Sequence, residues 1–214
     1  MSLFEGKDLT CIRADRCVFQ GLSFAVAGGE ALVVSGPNGS GKSSLLRLMA
    51  GLLKPAAGTL TWDGAAPEDA PERHRARLHY LGHLDGVKPV LSAREALTGW
   101  TRLRGVAPER VPDALERFGL GALADLPCRL LSAGQRRRLA LCRLLTAPAE
   151  LWLLDEPSVG LDKASQKTLA AVIAEHRAGG GRAVLATHEA LDLAQPRQLD
   201  LAALDPPAAA ELVW

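Results

Sequence analysis

The chain has 214 residues, with 25 basic and 24 acidic side chains and a formal net charge of +1. That length suits one well-buried α/β domain with a small inserted subdomain, and excludes two such domains in tandem. The well-mixed charge gives no basic footprint for nucleic acid or anionic lipid, so no nucleic acid is expected as a partner.

Residues 1–8 lack a basic start followed by an apolar core, so no secretory signal is expected. No apolar run approaches the roughly 18 residues of a membrane-spanning helix, which places the chain in the cytosol unless a partner holds it at a membrane. Cys11, Cys17, Cys128 and Cys142 show neither a C-x-x-C pair nor a zinc spacing. They read as reduced, mostly packing thiols.

Apolar runs over residues 9–35, broken by Gly21 and Gly28-Gly29, predict a few strands. The last, Glu30–Ser35, leads into Gly36-Pro37-Asn38-Gly39-Ser40-Gly41-Lys42-Ser43, which matches G-x-x-x-x-G-K-[S/T] at every fixed position. Three glycines let successive backbone N–H groups turn toward one point, and the helix predicted from Ser44 to Ala50 adds its positive end. Strand, glycine loop and helix in this order read as the site of ATP. Lys42 then reaches the β- and γ-phosphates, and the Ser43 hydroxyl serves Mg²⁺. A flexible turn that matches by chance is the alternative.

Pro55–Gly58 predicts a turn before a strand at Thr59–Trp62, and Asp63-Gly64 predicts another. Residues 65–77, rich in Pro, Glu and Arg, predict an exposed connection before a short strand at Leu78–Leu81. Ser92 and Glu95 form a capping box for a helix with Ala93, Ala96, Leu97, Trp100 and Leu103 at helical spacing. A second helix is predicted over Asp113–Phe118, stopping at Gly119. Residues 86–130 thus read as a helical insertion between strands, without a core of their own.

Leu131-Ser132-Ala133-Gly134-Gln135 opens a third helix running through Leu145, where the Ser132 hydroxyl and the first amides can grip a phosphate. Ser132 and Gln135 equally have the spacing of an ordinary N-cap box. Arg136-Arg137-Arg138 reads as a solvated helix face, with a phosphate or dimer contact as the alternative. Leu151–Leu154 predicts a central parallel strand buried on both faces, ending in Asp155-Glu156 where ligands collect in open α/β sheets. That pair suits a Mg²⁺-binding carboxylate and a base for water, although Asp-Glu after a strand is also a common solvated turn. A helix from Lys163 to Arg177, capped by Asp162, ends at the glycines 179–181, and the strand 183–187 delivers His188. His74, His79 and His176 show no ligand spacing and read as surface or packing residues. The tail 206–210 reads as loose.

The order of these motifs, joined by Ser158-Val159-Gly160-Leu161-Asp162, resembles the ABC-type ATPases over nearly the whole chain. The resemblance implies an α/β fold of the P-loop NTPase class and ABC ATPase type. Such a fold has a mostly parallel central sheet, an N-terminal antiparallel β part and an inserted helical subdomain at about 86–130. Residues 1–214 then form a single ATPase domain with a RecA-like core. It implies an ATP-sandwich dimer in which Ser132, Gly134 and Gln135 of one copy cover the ATP held by the P-loop of the other, with residues 86–130 touching integral membrane permease subunits. Ser43 and Asp155 then hold Mg²⁺, Glu156 polarises the attacking water, and His188 contacts the γ-phosphate. His83 stands where most members have the Q-loop glutamine that meets Mg²⁺ or its water; it also reads as a packed loop histidine. Arg13 and Arg16 stand near the usual adenine-stacking aromatic. Ala133 and Val159-Gly160 depart from the common signature and D-loop patterns.

A narrower resemblance lies in Phe19–Phe24, in Leu81-Gly82-His83 with Gly86 and Lys88, and in Leu131–Gln135 followed by three arginines. It is to the ATP-binding subunits of the bacterial cytochrome c maturation system, a haem exporter family. This implies cytochrome c maturation permeases as partners and a peripheral position on the cytoplasmic face of the inner membrane. Haem has no motif of its own in the chain and enters by resemblance only. An ATPase of another lipid or drug exporter, a soluble non-transport ABC ATPase and a P-loop binding module without catalysis remain as other readings.

Overall fold

β1 (Leu3–Arg13) and β2 (Arg16–Ala27) form a long antiparallel hairpin. Ala14 and Asp15, both at positive φ (46° and 62°), make the two-residue turn whose twist suits the flanking strands. The computed structural model describes residues 2–188 and 191–203. β4 (Ala57–Trp62) adds to the free edge of β1, giving an antiparallel sheet of order β2-β1-β4. The antiparallel part is therefore completed by a strand that follows the glycine loop in the sequence.

β4 begins two residues earlier than the strand expected at Thr59–Trp62, and so takes in the end of the turn expected at Pro55–Gly58. Gly58 lies inside it at φ 85°, where a Cβ would stand 2.4 Å from the carbonyl oxygens of Lys7 and Asp8. The β1–β4 register shifts between Lys7 and Thr10, so this glycine serves a bulge inside the ladder. The turn at Asp63-Gly64 forms as expected, with both residues at positive φ.

The second sheet contains β3 (Ala31–Ser35), β5 (Leu78–Leu81), β6 (Leu151–Asp155), β7 (Arg182–Ala186) and β8 (Arg197–Asp200). Its order is β5-β6-β7-β3-β8 and every pairing is parallel. The central place belongs to β7; the apolar run of β6 lies beside it, paired on both edges and buried at every residue. Alternation along the strands divides the core in two. Trp152, Leu154, Ala183 and Leu185 join the cluster built by the helices, whereas Leu151, Leu153, Val184 and Ala186 join the cluster under the antiparallel sheet.

The helices are α1 (Lys42–Met49), α2 (Pro71–Ala76), α3 (Ala93–Leu103), α4 (Val111–Arg117), α5 (Ala133–Thr146) and α6 (Lys163–Ala178). Leu45, Leu46, Leu48 and Met49 of α1 are fully buried under the antiparallel sheet. Leu97 of α3, Leu115 of α4 and Leu139 of α5 share one cluster with Trp152 and Ile173. Reciprocal capping boxes start α3 at Ser92 and α5 at Ser132, and the Asp162 side chain caps α6. No helix among the described residues is long and apolar enough to cross a membrane. The tail reading at 206–210 lies outside the described residues.

The exposed connection expected over 65–77 is in fact partly helical and partly buried. Pro71, free of any N–H to satisfy, starts α2, and its His74 packs edge-on to Trp62 with the rings 5.9 Å apart while Nε2 meets the Met49 carbonyl at 2.8 Å. The other two uncommitted histidines also pack. His176 stacks flat on Trp152 at 3.8 Å, and His79 is buried with Nε2 3.0 Å from the Ala147 carbonyl. Cys11, Cys128 and Cys142 are buried free thiols, and Cys17 is half-buried.

Two measurements check this packing. Gly58→Ala is expected to destabilise the fold by roughly 1–3 kcal/mol in denaturant melts, because a side chain there is both strained and obstructed. Burial pushes the His79 imidazole down to about 4 from its ordinary 6.5. The folded state thus resists protonating His79, and the stability it contributes above pH 6.5 is lost as pH falls toward 4. His79→Gln should flatten the pH dependence of the melting temperature across that window.

Candidate active site

Three adjacent strands set the site. Asp155 of β6 is level with Ala186 of β7, and Ala186 is level with Val34 of β3. Their carboxyl ends therefore release the glycine loop, Asp155-Glu156 and His188 side by side, at the edge where open parallel sheets collect ligands. A cleft of about 640 Å³ opens there, walled by Asn38, Gly39, Gly41, Lys42, Ser43, Ser44, His83, Asp155, Glu156 and His188, with Arg13 and Val18 from the antiparallel sheet.

The loop closes on itself around a cation. Lys42 is buried, and its Nζ donates to the carbonyls of Gly36 at 2.7 Å and Pro37 at 3.2 Å. Two of its three donors are thereby engaged. Gly36 (φ 140°), Gly39 (φ 84°) and Gly41 (φ 101°) hold conformations that side chains rarely adopt. A Cβ on Gly36 would come within 2.7 Å of Ser40 Oγ, which is buried without a partner among the described residues. A Cβ on Gly41 would stand 2.5 Å from Val18 Cγ1. No side chain caps α1, whose N-cap is Gly41, so its first amides are available to an anion held in the loop.

Opposite the loop, Ser43 Oγ donates to Asp155 Oδ1 at 3.0 Å. This hydroxyl and carboxylate pair is an all-oxygen donor set, which fits Mg²⁺: a small hard cation that takes few protein ligands and completes its shell with phosphate and water. No cluster of three or more His, Cys, Asp or Glu side chains suited to a metal exists among the described residues. His83 is exposed on the cleft wall and makes no hydrogen bond among them.

Glu156 has a left-handed backbone (φ 49°) with its N–H bonded to the Ala186 carbonyl at 2.8 Å. Non-glycine residues keep that conformation only where the surroundings impose it, and such positions concentrate at functional sites. The carboxylate is 13 % exposed and its Oε1 accepts from His188 Nδ1 at 2.9 Å. Its Oε2 is buried without a partner among the described residues. The carboxylate belongs to the wall of the cleft that the glycine loop also lines, the position from which a general base can meet a water beside the phosphates.

The structure does not bring every expected residue to this cleft. Ser132, Gly134 and Gln135 lie outside its walls, where Ser132 Oγ accepts from the Gln135 N–H and Gln135 Oε1 from the Ser132 N–H. Gly134 packs on the segment after Glu156, and a Cβ on it would stand 2.8 Å from the Gly160 carbonyl. Arg16 is exposed and outside the lining, because β2 meets the loop at Val18, two residues further from the hairpin turn; of the two hairpin arginines it is Arg13 that lines the cleft.

The arginine run is not a solvated face. Successive helical residues point about 100° apart, so Arg136 bonds the Leu131 carbonyl and Arg138 the Phe118 carbonyl. Arg137 turns inward, buried, and donates to the carbonyls of both Asp155 and Glu156 at 2.7 and 2.8 Å. Sequence reasoning missed it because like charges in a row suggest water, and only the helical rotation separates the three.

Comparison with known proteins agrees with this geometry. A family model described as ABC transporter matches residues 19–159. The cytochrome c biogenesis ATP-binding export protein CcmA of Paramagnetospirillum magneticum is 56% identical over 94% of this chain and 94% of its own. The protein of the same name from Rhodospirillum rubrum is 54% identical, over 99% of this chain and 91% of its own. Among solved structures, an ABC transporter ATP-binding protein from Pyrococcus furiosus superposes with a TM-score of 0.83 at 26% identity, covering 95% of this chain and 99% of that one. The ATP-binding subunit of another ABC transporter superposes with a TM-score of 0.77 at 27% identity, covering 87% and 80%.

Gly41→Ala is expected to weaken ATP binding by about tenfold or more, equivalent to ~1.4 kcal/mol, since its Cβ forces the loop away from Val18. Equilibrium titration with a fluorescent ATP analogue checks this, with an unchanged far-ultraviolet circular dichroism spectrum showing that the fold persists.

Proposed function

This chain belongs to the ABC transporter family and is an ATP-binding, ATP-hydrolysing subunit of the cytochrome c biogenesis export type; we propose that it works as a pair of copies on integral membrane permeases of cytochrome c maturation. The observation that carries the reading is the level register of β6, β7 and β3, which gathers loop, carboxylates and histidine around one cleft. Residues 1–214 act as one ATPase domain, with about 86–130 as the helical subdomain that meets the permease. The protein sits peripherally on the cytoplasmic face of the inner membrane. Haem as cargo is assigned to the complex and to no residue of this chain.

In the proposed mechanism, Gly36, Pro37, Asn38, Gly39, Ser40, Gly41 and Ser44 shape and line the phosphate site, and Lys42 counters the β- and γ-phosphate charge. Ser43 and Asp155 would hold Mg²⁺, which when bound supplies positive charge to the phosphate oxygens. Glu156 accepts the proton of the attacking water, while His188 Nδ1 meets Oε1 and orients the carboxylate. His188 is also placed to meet the γ-phosphate. His83 serves as a water-bonding side chain on the cleft wall, and of the two arginines expected on the base side Arg13 takes that position in place of Arg16. Ser132, Gly134 and Gln135 act on the ATP of the second copy, which accords with their position outside the cleft of their own chain.

Glu156→Gln is expected to bind ATP normally and to turn it over at least ~100-fold more slowly, in line with the loss of a general base. Steady-state ATPase assays alongside ATP titration check this, and unaltered turnover removes Glu156 from the role. The same variant, trapped with ATP in native membranes and pulled down, is expected to bring cytochrome c maturation permeases with it in mass spectrometry. Recovery of a different permease would keep the ATPase chemistry and discard the cytochrome c assignment.

A further inference from the structure

Arg137 lies on the second turn of α5 and is only 5 % exposed. Its guanidinium joins two walls of the cleft. On one side Nη2 donates to the carbonyls of Asp155 and Glu156 at 2.7 and 2.8 Å. On the other, Nη1 donates to the Gly82 carbonyl and to Asp85 Oδ1, both at 3.1 Å. Between Gly82 and Asp85 stands His83.

The bond to Glu156 bears on its unusual backbone. At φ 49° this residue needs both peptide groups restrained, and the N–H is held by β7 while the carbonyl is held by Arg137. Release of the carbonyl frees the residue to relax toward an ordinary conformation, which swings its carboxylate. The far side of the brace is reinforced from the same helix. Arg143 Nη2 donates to the carbonyls of Asp85 at 2.7 Å and Gly86 at 3.1 Å, with its guanidinium 4.1 Å over the Trp100 ring. The loop 82–86 thus hangs from α5 by two guanidinium groups, and one of them also holds the peptide of the proposed base.

Resting on the proposed role of Glu156, we propose that Arg137 is a positioning residue for ATP hydrolysis. It fixes the Glu156 carboxylate relative to the loop 82–86, so that the arrangement of that loop sets whether the base is aligned. Only a guanidinium serves here: its planar fork satisfies four acceptors at once, whereas an ammonium is a point charge with three donors. The four acceptors, with the Asp85 carboxylate among them, also offset the cost of burying the cation.

The test is ATPase kinetics of the full chain carrying Arg137→Gln, Arg137→Lys or Asp85→Ala, each alone and with Glu156→Gln. In the Arg137 variants kcat is expected to fall roughly tenfold or more while KM and the dissociation constant for ATP stay within about threefold, the signature of misaligned chemistry rather than lost binding. Asp85→Ala, which leaves the carbonyl bonds in place, is expected to fall less. On the Glu156→Gln background the Arg137 substitutions are expected to add almost nothing, because the group they position is gone. A kcat within twofold of the parent in Arg137→Lys, or a further full loss on the Glu156→Gln background, overturns the proposal. If Arg137→Gln fails to fold, Arg137→Lys and Asp85→Ala carry the same comparison. Failure of the functional reading is distinguishable, since it shows as Glu156→Gln turning over like the parent.

Discussion

The parallel register of three neighbouring strands is the constraint on which the rest depends. β6, β7 and β3 end level, and each ends in a residue type that must leave the sheet: an acidic pair, a histidine and a glycine loop. In parallel sheets the ladder cannot slip by one residue without moving every buried side chain to the other face. Because both faces of this sheet are covered by separate apolar clusters, such a slip would exchange Trp152 and Leu154 with Leu151 and Leu153 across the sheet. Site geometry and core packing are therefore one specification.

A second level of organisation comes from polar contacts that cross between elements. α5 begins at a serine cap, buries Leu139 and Leu141 in the core, and sends Arg137 to the carbonyls of Asp155 and Glu156 and Arg143 to those of Asp85 and Gly86. Burying a cation is costly unless its donors are met, and Arg137 has an acceptor at both terminal nitrogens. Among the described residues the unmet buried side-chain groups are instead Ser40 Oγ and Glu156 Oε2, together with Ser158 Oγ and Trp152 Nε1. Two of these four belong to the glycine loop and to the proposed base, so these two gather around the cleft.

Much of this was legible in the sequence, for a physical reason. The glycine loop, the Asp-Glu pair and the two capping boxes are local: backbone freedom, apolar runs and caps act within a few residues, so spacing reports them. A parallel strand buried on both faces was legible in Leu151–Leu154, apolar at every residue, and the rest of the parallel sheet came with the family resemblance. What depended on distant neighbours was not legible. Gly58 looked like a turn because its reason for being glycine is the backbone of Lys7 and Asp8. His74 looked exposed because Trp62 and Met49, which cover it, lie earlier in the chain. Arg13 and Arg16 looked equivalent because only the hairpin register and its bulges decide which of the two arrives. Arg137 was hidden between two charged neighbours that do face other directions.

The cap of α5 has a consequence for polarity. Ser132 Oγ already accepts from the Gln135 N–H, so the lone pair turned toward the helix is engaged while the hydroxyl hydrogen is left to point elsewhere. The capping box thus does more than start a helix: it holds the Ser132 oxygen at the helix end with its O–H still unspent. An oxygen-rich group that approaches there can accept that hydrogen without breaking the cap.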